Sequence, residues 1–169
     1  MRPTPAEYNP YFERYIALVP GDKVVPVLRE QLAIVRELLG GLSADRAGFR
    51  YAPGKWSVRE SLGHVIDTER VFGFRAFWIA RGATEPLASF EQDDFAATAG
   101  HEQCDLRGLV EEFAAIRDGH IRMLEHLPRD AWTRIGTAGG SPLSVRAAAF
   151  TMAGHVNYHI TLFRERYGL

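Results

Sequence analysis

The chain has 169 residues, 46% of them hydrophobic, which suits one packed domain that needs neither a disulfide nor a structural metal to hold its fold. Its 20 basic and 21 acidic residues give a formal charge of −1 with no block of lysine or arginine, so we expect no nucleic-acid partner and no attraction to an anionic membrane surface. A single cysteine, Cys104, excludes an intramolecular disulfide and any site built from several thiolates.

The first 23 residues contain prolines, charges and aromatic side chains where a signal peptide would need a continuous apolar stretch. No apolar run elsewhere approaches the roughly 20 residues of a membrane span. Together with the lone cysteine, these features predict a cytoplasmic protein without a membrane partner. The aromatic residues of this segment predict that residues 1–23 form an arm packed on a single domain spanning residues 1–169.

Two long helices are predicted in the first half of the chain. Apolar residues spaced three or four apart indicate a helix from Val24 to about Gly40. The next helix starts at Ser57, because Ser57 and Glu60 form a capping box in which each side chain can bond to the backbone amide of the other residue. Its apolar pattern continues to about Arg81.

Two further helices are predicted in the second half. The third follows Asp105 as its N-cap and ends before Pro128, and the fourth runs from Ser144 to about Gly168. Strand signals are poor, and the glycine-rich stretch 136–141 is interpreted as a flexible turn. Four amphipathic helices without strands predict an all-α four-helix bundle. The connection 82–105 is long enough to run back along a helix, so up-down-up-down order is not required.

Two histidines of the fourth helix are the first candidate functional residues. His155 and His159 are four residues apart, so their side chains lie about 40° apart around the axis and roughly 6 Å apart along it, both on the apolar stripe. Buried imidazole nitrogens need partners. A shared metal ion would satisfy them, and so would hydrogen bonds to helix backbones or water; the spacing leaves both readings open.

His64 of the second helix strengthens the metal hypothesis. A bundle can bring it opposite the other two histidines, and three neutral imidazoles on one divalent ion leave a coordination position for water or substrate, as in catalytic zinc sites. Zinc, nickel and iron all accept such ligands. Glu60 and Asp67 lie about one turn from His64 and are candidates to orient an imidazole or act as a base, the alternative being salt bridges to Arg59 or Arg70.

The remaining histidines and the cysteine are weaker candidates. His120 lies on an apolar stripe without a histidine at helical spacing, so we expect a hydrogen-bonded core or pocket residue. His101 and His126 are predicted to be solvated. Cys104 lies beside an N-cap position and is interpreted as a small buried side chain.

Several segments together are specific for one family. The stretch Ala52–Glu60 followed by Leu62–Arg70 closely resembles the second-helix signature of the DinB-like superfamily, and Ser144–Arg146 followed by Gly154–His159 matches its last helix. These segments occur in the expected order across nearly the whole chain. Tyr158 stands where many members carry an additional histidine.

This resemblance implies a DinB/YfiT-like four-helix bundle with up-down-down-up connectivity. It also implies a divalent metal ion, zinc or nickel, held by His64, His155 and His159. Because relatives tend to dimerise, and because the aromatic arm and helix faces offer apolar surface, we expect a homodimer.

The family's activities define the functional expectations. It includes S-transferases that use low-molecular-weight thiols, a thiol-dependent isomerase and proposed metal-dependent hydrolases. The resemblance therefore implies a metal-dependent enzyme acting on a small-molecule substrate, with a low-molecular-weight thiol as co-substrate. The alternative enzyme is a metal-dependent hydrolase. The alternative that is not an enzyme is a metal- or small-ligand-binding bundle of the stress response.

Overall fold

The structure is a computed structural model that describes all residues, Met1–Leu169. In chain order its helices are α1 (Glu13–Ile16), α2 (Val24–Leu39), α3 (Ala44–Gly48), α4 (Val58–Ala80), α5 (Gln92–Ala99), α6 (Leu106–Glu125) and α7 (Val145–Glu165). Strands β1 (Ile135–Ala138) and β2 (Ser141–Ser144) lie between α6 and α7. Each helix is too short or too polar to serve as a membrane span.

The four long helices form the predicted bundle. Helices α2 and α4 each pack against both α6 and α7, so α2 lies diagonally across from α4. Helices α4 and α7 run in opposite directions, since Ser61 meets His159 and His64 meets His155. The all-α four-helix bundle is thus confirmed, while the up-down-down-up order of all four helices stays a prediction, as does the homodimer.

Side-chain caps fix where the bundle helices begin. The Ser57 hydroxyl accepts from the Glu60 amide while the Glu60 carboxylate accepts from the Ser57 amide, which is the predicted capping box. Asp105 and Ser144 cap α6 and α7 in the same way, each accepting from the amide three residues on. The predicted helix starts are confirmed, whereas α6 and α7 end two or three residues before the predicted positions.

The expectation of no strands is wrong, because 135–144 form an antiparallel hairpin. Its turn is Gly139–Gly140, with φ values of 57° and 73°, and tight hairpin turns require such positive φ angles. The hairpin also holds the long connection after α4. The Leu87 amide donates to the Thr137 carbonyl, and the Gly139 amide donates to the Leu87 carbonyl, both at 2.9 Å.

A buried polar layer divides the apolar core into two clusters, one toward each end of the bundle. Arg117 of α6, which is 0% exposed, donates from Nε and Nη2 to the Glu69 carboxylate of α4 at 2.7 and 2.8 Å. Its Nη1 donates to Gln31 of α2, whose amide nitrogen donates to the Ala153 carbonyl of α7 at 2.7 Å. The layer therefore joins all four bundle helices.

The N-terminal segment lies on the bundle beside α7. Tyr8 is buried, and Phe12 packs edge-on against Phe72 with ring centroids 5.2 Å apart. A Cβ atom on Gly154 of α7 would stand only 1.9 Å from the Tyr15 carbonyl oxygen. A glycine at this position is what lets α1 approach α7 so closely.

Glu7 fastens this segment to the start of α7. Arg146 Nε and Ser144 Oγ both donate to Glu7 Oε2 at 2.7 Å, and Arg146 Nη2 donates to the other oxygen. Burial alone would raise the pKa of Glu7, but the hydrogen bonds from Arg146, Thr4 and Ser144 lower it to about 2. The ionised carboxylate is therefore the form that stabilises the fold.

We expect Glu7→Gln to reduce the unfolding free energy at neutral pH by about 2 kcal/mol. Because the pKa is about 2 in the folded chain and about 4.5 when unperturbed, the contribution is complete above pH 4.5 and is lost as the pH falls toward 2. Urea unfolding at pH 7 and pH 3 should show a smaller difference between wild type and variant at pH 3. The exposed Glu37→Gln serves as control, and an equal Glu7→Gln effect at both pH values would contradict the assignment.

Candidate metal centre

Three histidines meet where α4 packs against α7. His64 projects from α4, and His155 and His159 project from successive turns of α7. One nitrogen of each ring lies within 4.8 Å of the others, and the Nε2 atoms of His64 and His155 are 3.0 Å apart. Each residue is only 4–5% exposed. The structure thus brings together the three side chains that the sequence singled out as ligands.

The imidazoles of this cluster are held in the neutral form. Burial lowers the pKa of His64 to about 4 and, with a further contribution from the neighbouring His64 ring, lowers that of His159 to about 3. Burial and the two neighbouring rings also lower the pKa of His155 well below its ordinary value. Neutral imidazole has a free nitrogen lone pair at pH 7, which is the form that binds metal ions.

Residues around the cluster fix the ring orientations. Ser61 Oγ lies 3.1 Å from His159 Nδ1, where it can accept a hydrogen bond from the Nδ1–H group and leave Nε2 free for a ligand. The Trp56 ring lies 4.8 Å from the His64 ring between centroids, and Tyr15 contacts His155 edge-on at 5.2 Å. Sequence reasoning missed all three contacts. Trp56 lies within the family signature and Ser61 falls between its two stretches, whereas no local signal places Tyr15.

The two carboxylate candidates lie apart from the rings. Glu60 is engaged in the capping box and in an ion pair with Arg50 at 2.6 Å, not with Arg59. Asp67 lies 3.6 Å from Arg70. Neither carboxylate forms a hydrogen bond with a histidine of the cluster, so a role for them in orienting the imidazoles or as a base has no contact to support it.

The other histidines lie outside the cluster. His120 Nδ1 lies 3.0 Å from a carboxylate oxygen of Glu69, which makes it a hydrogen-bonded neighbour of the polar layer. His101 is half-buried against Gly63 of α4, where a Cβ atom would clash with its ring, so the expectation that it is solvated is wrong. His126 is exposed, as predicted.

Two cavities flank the cluster, and Tyr11 and Tyr15 line both. The first has a volume of about 620 Å³ and reaches His155, and the second has a volume of about 440 Å³ and reaches His64 and His159. The first is also lined by Thr68, Phe72, Arg75, Ser89, Phe90 and Asp93. The second is also lined by Arg14, Tyr51, Lys55, Trp56, Ser61 and Tyr158. Both volumes suit small organic molecules.

Comparison with known proteins places this arrangement in a family. A protein of Geobacillus thermodenitrificans named "Putative metal-dependent hydrolase" is 28% identical over 158 residues, covering 83% of this chain and 86% of that protein. YfiT from Bacillus subtilis, described as a probable metal-dependent hydrolase with an unusual four-helix bundle topology, superposes with a TM-score of 0.72 at 16% identity, covering 99% of this chain and 94% of YfiT. The profile of the DinB superfamily matches residues 28–162, so the chain belongs to the DinB superfamily.

Proposed function

We propose that this protein is a metal-dependent enzyme in which His64, His155 and His159 hold one divalent cation, zinc or nickel. The reaction that we assign is transfer of a low-molecular-weight thiol to a small electrophile. The observation that carries the proposal is the cluster itself, three buried neutral imidazoles on two packed helices between two cavities. The names of the relatives support the metal-dependent part.

The donor set fits a divalent cation. Metal–imidazole bonds of about 2.0–2.1 Å bring the nitrogens of two ligands on one ion to roughly 2.9–3.4 Å apart, and the 3.0 Å between the Nε2 atoms of His64 and His155 falls in that range. Zinc and nickel both accept an all-imidazole set. Three protein ligands are one fewer than a closed structural site uses, so a position is left for substrate.

A divalent cation in this position would favour the deprotonated form of a bound thiol or water. The chain supplies the rest of the arrangement. Ser61 orients the His159 ring, while Trp56 and Tyr15 cover His64 and His155 and keep bulk water from them. Because the three rings are buried where α4 packs against α7, they are held before any ligand arrives.

The pair of cavities favours a reaction of two molecules. Arg14 and Lys55 line the second cavity together with one carboxylate, Asp93, so its lining is net positive, which suits a thiol carrying carboxylates. The first cavity has room for the acceptor. In the transfer, the thiol sulfur bonds to the acceptor carbon, the bond from that carbon to the leaving group breaks, and the thiol proton departs with the leaving group. No oxidant or reductant is needed.

Hydrolysis is the second candidate, because both named relatives are described as metal-dependent hydrolases. Water then takes the place of the thiol as nucleophile, and the acceptor is an ester or amide.

Comparing loaded and stripped protein tests the proposal. Zinc- or nickel-loaded protein should conjugate bacterial thiols to electrophilic acceptors faster than chelated protein or the His159→Ala variant, while the exposed His126→Ala should match wild type. The comparison is needed because thiolates react with electrophiles unaided. Metal-dependent turnover of esters or amides alone would favour the hydrolase. Equal rates for loaded, stripped and mutant protein on every substrate would overturn the enzyme in favour of a non-catalytic binding bundle.

A further inference from the structure

Arg75 is a buried cation without an anion. It lies on α4, is 5% exposed, and has no carboxylate oxygen within 4.0 Å. Its hydrogen bond runs from Nη2 to the Ala88 carbonyl at 2.8 Å, and its guanidinium lies over the rings of Phe72 and Phe90, 5.1 and 6.0 Å from their centroids. One of five N–H donors is thus engaged, and the side chain lines the first cavity.

A second polar group on the same cavity wall has no partner. Thr68 is 4% exposed, and its hydroxyl oxygen makes no hydrogen bond. It lies one helical turn after His64, and Phe72 and Arg75 follow at the next turns. One stripe of α4 therefore carries a metal-ligand candidate, an unpartnered hydroxyl, an aromatic ring and an unpaired guanidinium.

Buried groups of these two kinds are normally satisfied. A buried charge is usually paired, because only a partner offsets the cost of removing it from water. Burial lowers the pKa of Arg75, which reflects that cost. Glu91 and Asp93 also line the cavity, but they are exposed and form no ion pair with Arg75. The buried wall of the cavity thus carries one cation without an anion and one hydroxyl without a partner, whereas both carboxylates of the lining are exposed to water.

We infer that the first cavity binds a small organic anion, with its carboxylate or phosphate on Arg75 and Thr68 and its reacting end toward His155. This inference rests on the proposed function, for which it names the acceptor as an anionic molecule. The anionic end therefore lies beside Phe72 and Phe90, whose rings contact the Arg75 guanidinium, and the rest of the molecule extends along the cavity toward His155.

Binding of matched probes tests the inference without any turnover. Phenylbutyrate, phenylbutyl phosphate and neutral phenylbutyramide are titrated calorimetrically into the full chain, with and without zinc. At least one of the two anions should bind about tenfold more tightly than the amide, as expected for a charge-assisted pair. A preference between carboxylate and phosphate identifies the anion. Equal affinity for anions and amide overturns the inference.

Variants of Arg75 and Thr68 test whether these two residues cause the preference for anions. Arg75→Met keeps contact with the aromatic rings and should abolish the preference for anions, whereas Arg107→Met, an exposed site on α6 with the same change in charge, should preserve it. Thr68→Val should weaken anion binding several-fold with no loss of stability, because the hydroxyl makes no bond in the free protein. If Arg75→Met fails to fold, Thr68→Val decides: unchanged anion binding in that variant overturns the inference.

The two proposals can fail separately. Anion binding that depends on Arg75 in zinc-free protein, together with absent metal-dependent turnover, leaves the anion site standing and overturns the enzyme. Metal-dependent turnover of uncharged acceptors, with no preference for anions in binding, upholds the enzyme and overturns the anion site.

Discussion

Replacing Arg117 with methionine is expected to lower the unfolding free energy by about 3–5 kcal/mol, because the Glu69 carboxylate would stay buried without its cation. Burial alone would raise the pKa of Glu69, but Arg117 and His120 lower it, so the ionised carboxylate depends on these partners. Gln31 would also lose the donor to its carbonyl oxygen. The measurement is chemical unfolding followed by circular dichroism, with the midpoint and slope compared with wild type.

A double replacement separates the ion pair from simple packing. In Arg117→Met with Glu69→Leu neither charge remains buried, so a large part of the lost stability should return. Arg122→Met, on the same helix and paired with Asp118 at the surface, should change stability little. If Glu69→Leu lowered the stability of Arg117→Met further, as an independent core mutation would, Arg117 and Glu69 would not be energetically coupled.

The polar layer also bears on the site. Gln31 donates to the carbonyl of Ala153, two residues before His155, and to Asn157, two residues before His159. Asn157 in turn donates to the Leu18 carbonyl just after α1. Loss of Arg117 would therefore loosen the part of α7 that presents both histidines, and a metal-affinity change should accompany the loss of stability.

The parts of the fold predictable from sequence are those with local signals. Ser57, Asp105 and Ser144 each cap an amide three residues away, so the helix starts follow from neighbouring residues alone. The hairpin 135–144 was missed because its strands have four residues each with few β-branched or aromatic side chains, and the Gly139–Gly140 turn was the usable signal. These two strands are recognisable only once they pair with each other in the folded chain.

The residues of the site also divide into those that the sequence predicts and those that only the folded chain brings together. The four-residue spacing predicts that His155 and His159 share a helix face. The predicted bundle and the family resemblance add His64 to this ligand set. Tyr15 reaches His155 from α1, 140 positions earlier in the chain, through an approach that Gly154 permits. Arg75 could not be distinguished from a surface arginine, since its burial depends on the connection after α4, whose Ala88 carbonyl it binds.

Wild-type protein is expected to bind one equivalent of zinc or nickel, and His155→Ala to bind it more than about 100-fold more weakly, because one of three ligands is lost. Bound metal stabilises the folded state by mass action, about 2.7 kcal/mol when the free ion is 100 times the dissociation constant. Chelator competition gives the affinity, and thermal unfolding with and without metal gives the stabilisation. The metal-dependent rise in Tm should be present in wild type and absent in His155→Ala.

Two further variants make the binding result specific. Ser61→Ala leaves all three imidazoles but removes the group that orients His159, so its affinity should fall by about 10–100-fold, between wild type and His155→Ala. His126→Ala removes an exposed imidazole on the surface and should leave both affinity and stabilisation unchanged. Because unfolded chains bind metals weakly through any histidine, only the graded order of these variants assigns the ion to the cluster. Equal affinity in wild type, Ser61→Ala and His155→Ala would place the ion elsewhere and refute the three-histidine site.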